Sequence, residues 1–224
     1  MLEARKVSKT FKGKTNICVL DEIDFSLEEF QTTALMGASG SGKSTLARIL
    51  LGIEKKDAGQ ILWNEKEVNW KNRKESLKFR RNVQYISQHP ESFFDPFWTL
   101  GKSVREACRI HHISDAWYEK KIPELLEQVK INSAVLERYP YQVSGGEIQR
   151  VSLCRALLLE PKVLIMDEAT SMLDVSVQAQ ILHLLKDIKK QHGLTYLFIS
   201  HDETVVKWFS DKIFYLDGGK IKSW

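Results

Sequence analysis

Cysteine is scarce in this sequence, and the scarcity is informative. Cys18, Cys108 and Cys154 are the three thiols among 224 residues. Three scattered cysteines offer neither a disulfide framework nor the paired spacing of a zinc site. They suit a reducing compartment. Long apolar runs are missing too: no stretch approaches the roughly 20 apolar residues of a membrane-spanning helix. The opening MLEARKVSKTF lacks the apolar segment of a secretion signal. Any membrane role is therefore expected to run through a partner. No internal repeat or low-complexity tract is present, which argues against solenoids and disordered linkers. A large charge excess is also lacking. The net charge of +4 is too small to argue for nucleic acid, although it suits a nucleotide or an anionic surface.

What remains is the composition of a folded chain. Apolar residues make up 43% and charged residues 28%, enough for one core or a core with an attached lobe. Strand-like alternation predicts strands over residues 2–7 and around Ile23, Phe25 and Leu27. The run Ala34, Leu35, Met36 leads into a glycine-rich loop and a helix that ends near Gly52. Further strands are expected at 61–63 and 83–87. From about residue 100 to 160 strand signals vanish and helix formers dominate. Apolar strands return at 163–167, 195–200 and 212–216, separated by a helix at 175–192 and a second, shorter one. Strands alternating with helices predict a parallel α/β sheet, with a helical lobe inserted at about 92–158 in one domain spanning 1–224.

Gly37, Ala38, Ser39, Gly40, Ser41, Gly42, Lys43 and Ser44 fit G-x-x-x-x-G-K-[ST], with Thr45 following. The glycines let backbone N–H groups curl inward, and the helix that starts there adds its positive end. Lys43 would meet the β- and γ-phosphates of a nucleotide, and the Ser44 hydroxyl would meet Mg²⁺. The run KVLIMDE reads as a strand buried on both faces that ends in two carboxylates. Asp167 would hold Mg²⁺ and Glu168 would polarise an attacking water; caps for the next element are the plainer alternative. TYLFISHD repeats the design, so His201 would stand at the same sheet edge and donate to a γ-phosphate. The other five histidines are read as surface or capping residues.

Ser144, Gly145, Gly146 and Glu147 open another helix. A hydroxyl and free N–H groups at a helix start suit a phosphate, yet no lysine accompanies them. This is half a site. With these residues together, the chain resembles the ATP-binding subunit of ABC transporters over nearly its whole length. GASGSGKST resembles the Walker A motif, VSGGE the family signature and LIMDE Walker B. Gln88 resembles the Q-loop glutamine, which the family uses toward both nucleotide and metal. Ser171–Met172–Leu173–Asp174 resembles the D-loop, whose Asp174 is counted with the nucleotide contacts, and His201 resembles the switch histidine. Phe11 sits where the family stacks an aromatic ring on adenine.

The resemblance implies a P-loop NTPase fold with a RecA-like parallel core, an N-terminal antiparallel β subdomain and the inserted lobe. It implies ATP hydrolysis with Mg²⁺. It also implies a head-to-tail dimer with a second ATP-binding subunit, either a copy or a paralogue. In such a dimer the half-site becomes the second wall of a neighbour's nucleotide site. The other implied partners are two integral membrane permease subunits and, indirectly, an extracytoplasmic substrate-binding protein. The implied place is the cytoplasmic face of the cell membrane, without nucleic acid.

RYPYQVSGGEIQRVSLCRALLLEPKVLIMDE and LDVSVQAQIL are most similar to the peptide and nickel importer group. In QHPESFFDP both prolines of that group's Q-loop pattern match, while Phe93 and Asp95 depart from it. The aromatic segment at 93–98 is expected either to meet membrane subunits or to be lobe core. Glu147 stands where Gln is commoner and Ala169 where Pro is usual; neither change touches a phosphate or metal ligand. The chain stops at Trp224, where many relatives continue. The basic run at 71–81 reads as a solvated surface or a face toward acidic lipid. A soluble ABC-type factor in translation or repair is the alternative function. A P-loop kinase would have no use for the signature stretch.

Overall fold

The computed structural model describes residues 1–13 and 15–223; Lys14 and Trp224 lie outside them. Two antiparallel strands open the chain, β1 (Leu2–Phe11) and β2 (Ile17–Ser26). β3 (Thr32–Met36) then leads into α1 (Lys43–Leu50). β4 (Ala58–Trp63) and the short β5 (Lys66–Glu67) return to the first pair. The four-stranded sheet, in the order β2-β1-β4-β5, is thus built from two separated pieces of chain.

The run at 71–81 is the expected solvated surface, its charged side chains exposed apart from the half-buried Arg81. It folds as α2 (Arg73–Asn82), capped by Asn72, and buries Ser76 and Phe79. The Phe79 ring meets Trp63 and Trp70 edge-on, so the apolar residues between the charges anchor the helix while the charges stay in water. β6 (Val83–Ile86) follows. The helical insertion comprises α3 (Leu100–Ile110), α4 (Asp115–Gln128) and α5 (Gly145–Leu157), with two short 3₁₀ turns between α4 and α5. The chain then alternates through β7 (Val163–Asp167), α6 (Val175–His192), β8 (Thr195–Ile199), α7 (Glu203–Phe209) and β9 (Lys212–Asp217). A last strand, β10 (Lys220–Ser223), pairs antiparallel with β9 and was not foreseen.

The second sheet runs β10-β9-β3-β8-β7-β6, parallel from β9 to β6. This is the expected α/β class with a parallel core, an antiparallel sheet and a helical insertion. The parallel strands are buried on both faces, which explains their unbroken apolar runs. Side chains on successive residues separate two cores. Ala34, Met36, Leu164, Met166, Tyr196 and Phe198 pack on the side of α6 and the helical lobe. Leu35, Val163, Ile165, Leu197 and Ile199 pack on the side of α1, α2 and the antiparallel sheet. That parity decides which polar residues can meet at the strand ends.

Candidate nucleotide site

The register aligns the strand ends. Leu35 pairs with Ile199, and Ile199 pairs with Asp167. Met166 pairs with Ile86, and Met36 with Tyr215. The loops that follow β3, β6, β7 and β8 therefore emerge at one carboxyl edge, where parallel sheets bind ligands. Gly37, Gln88, Glu168 and His201 all lie within two residues of these ends.

The loop after β3 is tied down on both sides. A Cβ on Gly37 would lie 2.4 Å from the Leu216 carbonyl oxygen, so only glycine lets β3 leave the sheet beside β9. Val19 of β2 backs the loop at Gly42. Phe11 pairs with Ile17, two residues along β2 from that contact. Its ring is partly exposed, with the Lys9 ammonium 5.0 Å from the centroid. Lys43 is buried, and its Nζ donates to the Gly37 and Ala38 carbonyls, both at 2.8 Å. An ammonium has three donors, so one remains for a ligand. Burial lowers the Lys43 pKa, opposed by the charges of Glu168 and Asp167.

Asp167 and Ser44 come together across the sheet. Asp167 shares the parity of Val163 and Ile165, so its carboxylate faces α1. There the Ser44 hydroxyl donates to Oδ1 at 2.9 Å. The other oxygen is taken as well: the Tyr85 hydroxyl donates to Oδ2 at 2.8 Å. Tyr85 lies on β6, one residue before Ile86 and therefore on the α1 face. Burial, then the Asp167 charge, raises its pKa well above the usual tyrosine value. Arg48, one helical turn beyond Ser44, reaches the same phenol. Neither Tyr85 nor Arg48 was legible in the sequence, because nothing local says that β6 lies beside β7.

Glu168 has a backbone φ of 49°, a left-handed conformation that non-glycine residues adopt at a cost. Its N–H donates to the Ile199 carbonyl at 3.0 Å. Its carbonyl accepts from the Ser171 N–H at 3.1 Å and the Ser171 hydroxyl at 2.9 Å. The turn breaks strand alternation, and Glu168 lines the cavity above the loop. The His201 imidazole Nδ1 lies 3.5 Å from the Glu168 Oε1. The cavity holds about 390 Å³ and is lined by Met36, Gly37, Ala38, Ser39, Glu168 and His201, together with Glu203 and Tyr215, two residues not foreseen.

The remaining candidates do not line that cavity. Gln88 is half-buried just past β6. Asp174 caps α6, accepting from the Ser176 and Val177 N–H groups and from the Ser176 hydroxyl at 2.8 Å. Ser144 caps α5 in a reciprocal box: the Ser144 N–H donates to Glu147 Oε2 at 2.8 Å, and the Glu147 N–H donates to the Ser144 hydroxyl at 3.3 Å. The first bond, then the Ser144 hydroxyl, holds the Glu147 carboxyl below its usual range. The Glu147 carboxylate thus holds the Ser144 N–H and hydroxyl at the helix start. Ser144, Gly145, Gly146 and Glu147 do not line the cavity above the loop after β3. The aromatic segment divides between the two readings: Phe94 is buried, while Phe93 and above all Phe97, 86% exposed, face solvent.

Chemically, the edge offers an ammonium, inward backbone N–H groups at the start of α1, and hydroxyl and carboxylate oxygens within bonding distance. Hard oxygen donors such as Ser44 and Asp167 suit Mg²⁺, so the residues present fit that ion. A carboxylate beside the cavity and an adjacent imidazole complete a set capable of phosphoryl chemistry.

Comparison with known proteins agrees. The sequence profile of the family described as ABC transporter matches residues 20–171. The oligopeptide transport ATP-binding protein OppF of Bacillus subtilis (strain 168) is 37% identical over 99% of this chain and 74% of its own length. The nickel import ATP-binding protein NikE of Escherichia coli O6:K15:H31 is 39% identical over 94% of this chain and 80% of its own. Among solved structures, the dimeric post-hydrolysis state of the ATP-binding cassette MJ0796 bound to ADP and Pi superposes with a TM-score of 0.87 at 28% identity, covering 100% of this chain and 98% of that one. The cbiO1 protein of Clostridium perfringens, part of the ABC transporter complex cbiONQ, gives 0.85 at 26% identity, covering 99% and 86%. A profile over most of the chain and relatives above a third identical place it: the chain belongs to the ABC transporter family, as one of its ATP-hydrolysing subunits.

Proposed function

We propose that this chain powers an importer of peptides or of nickel and related metal chelates, with residues 1–224 acting as one nucleotide-binding domain. The observation that carries the site assignment is the convergence of Lys43, Ser44, Asp167, Glu168 and His201 at one sheet edge. The cargo class rests on the names of the relatives, oligopeptide and nickel transporters.

In this reading the loop from Gly37 to Thr45 cradles the triphosphate, and the free donor of Lys43 neutralises its outer phosphates. Phe11 packs against adenine. Ser44 and Asp167, with Gln88, would hold Mg²⁺, which supplies charge compensation on the phosphate oxygens. Glu168 orients a water in line with the γ-phosphorus and takes up its proton. The bond from the γ-phosphorus to the bridging oxygen then breaks, giving ADP and phosphate. His201 donates to the γ-phosphate oxygens and releases when that group leaves.

The half-site at Ser144, Gly145 and Gly146 is the second wall of a nucleotide site in a head-to-tail partner, with Asp174 beside it. Two N–H groups at the start of α5 have no partner within the helix, as an anion site requires. The dimeric solved relatives support this arrangement. ATP closes the dimer because its γ-phosphate touches both subunits, and hydrolysis removes that link. The Gln88 loop and the exposed Phe93 and Phe97 would carry the motion to two membrane permease subunits. This places the protein peripherally on the cytoplasmic face of the membrane, with a substrate-binding protein acting on the far side. Affinity capture from detergent-solubilised membranes tests the reading. Recovery with integral membrane subunits is expected; consistent recovery free of any integral membrane protein, as for a soluble factor, would overturn it.

A further inference from the structure

The Tyr85 contact has no part in the reading above, yet it occupies half of the carboxylate on which that reading depends. Asp167 is buried, and each of its oxygens accepts a hydroxyl from a different element: Ser44 of α1 on Oδ1, Tyr85 of β6 on Oδ2. A carboxylate's terminal torsion is soft and roughly two-fold, so one partner would leave the plane free to turn. Two partners on opposite oxygens fix it. The phenol is itself held. Its ring packs among the residues on the α1 face of the sheet and meets the Phe93 ring edge-on, about 4.5–7 Å being the usual range and 6.0 Å the distance here.

We infer that Tyr85 is a positioning residue for the metal site: it occupies Asp167 Oδ2 and thereby presents Oδ1, beside Ser44, as the oxygen available to Mg²⁺. The inference rests on the reading of Asp167 as a metal ligand. Its chemistry is that of an outer partner that orients a ligand without touching the ion. Tyr85→Phe is the suitable perturbation, since the ring keeps its packing against Phe93 and only the hydroxyl is lost.

The test uses the full chain in a Glu168→Gln background, loaded with stoichiometric ATP, and follows Mn²⁺ binding by electron paramagnetic resonance. Tyr85→Phe is expected to weaken Mn²⁺ binding roughly tenfold, the lower end for an outer-sphere partner. ATP affinity in EDTA and the melting temperature should stay near those of the parent. Asp167→Asn serves as the reference and should weaken Mn²⁺ at least as much. Unchanged Mn²⁺ affinity in Tyr85→Phe, with Asp167→Asn impaired, overturns the role of Tyr85 alone. An equal loss of ATP affinity in EDTA also overturns it, because the hydroxyl would then act on the fold of the loop. Unchanged Mn²⁺ affinity in Asp167→Asn overturns the metal reading and the inference together.

Discussion

Replacing Gly37 with alanine tests whether the loop is shaped by contact with the rest of the sheet or only by its own sequence. The added Cβ would lie 2.4 Å from the Leu216 carbonyl oxygen and 2.8 Å from the Ser41 hydroxyl, at a backbone φ of 149°. The hydroxyl can turn away, but the carbonyl belongs to β9 and is held in the sheet. Strained backbone costs about 1–3 kcal/mol, and forcing atoms into a packed site costs about another 1–3. For a chain of this size each kcal/mol lowers the melting temperature by about 2–4 °C. The expected fall is therefore roughly 5–20 °C. Gly40→Ala is the internal control. It has φ of 78° but, among the described residues, no atom within 4 Å of the added Cβ, so it should cost about 1–2 kcal/mol, from backbone strain alone. Circular-dichroism melts of the nucleotide-free proteins measure both. A Gly37→Ala melt within about 2 °C of the parent, or a larger fall in Gly40→Ala, would refute the reasoning.

Glu168→Gln should retain ATP binding while hydrolysis falls by about 10²–10⁴-fold, as for loss of a general base; near-parental turnover in a phosphate-release assay counts against the assignment. In that same background ATP should drive dimerisation, and Gly145→Asp should abolish it without unfolding, since a Cβ there meets, among the described residues, the Leu173 methyl first, at 3.5 Å. Size-exclusion with light scattering decides, and a persisting dimer removes the half-site from the proposed interface. The three thiols should separate cleanly. Cys18 is exposed, Cys108 and Cys154 are buried, and burial pushes the Cys154 thiol up to about 12. Ellman's reagent at pH 8 should titrate one thiol in the folded protein and all of them in denaturant; rapid labelling of more than one would contradict the packing of the lobe.

Much of this protein is written locally in its chain. The order of phosphate loop, signature helix start, acidic strand end and histidine strand end can be read from residue types, because each motif's chemistry sits within a few consecutive residues. The buried parallel strands announce themselves by unbroken apolar runs, and the lobe by the loss of strand signals. The reading failed where local pattern and distant packing disagree. The solvated charges at 71–81 were legible, but the anchoring of their helix was not, because Phe79 finds Trp63 and Trp70 only in the fold. β10 was missed because a four-residue polar strand has no signature without β9 beside it.

Adjacency was decided by the tertiary structure alone. Which strand neighbours which, and in what register, depends on hydrogen bonds between segments far apart in the chain. Those bonds set the parity that turns Asp167 and Tyr85 toward α1, and they bring Glu168 to His201. Residue types could supply the groups of the site. Only the packed sheet could fix which of their atoms meet, because contact across strands is a property of register and not of sequence distance.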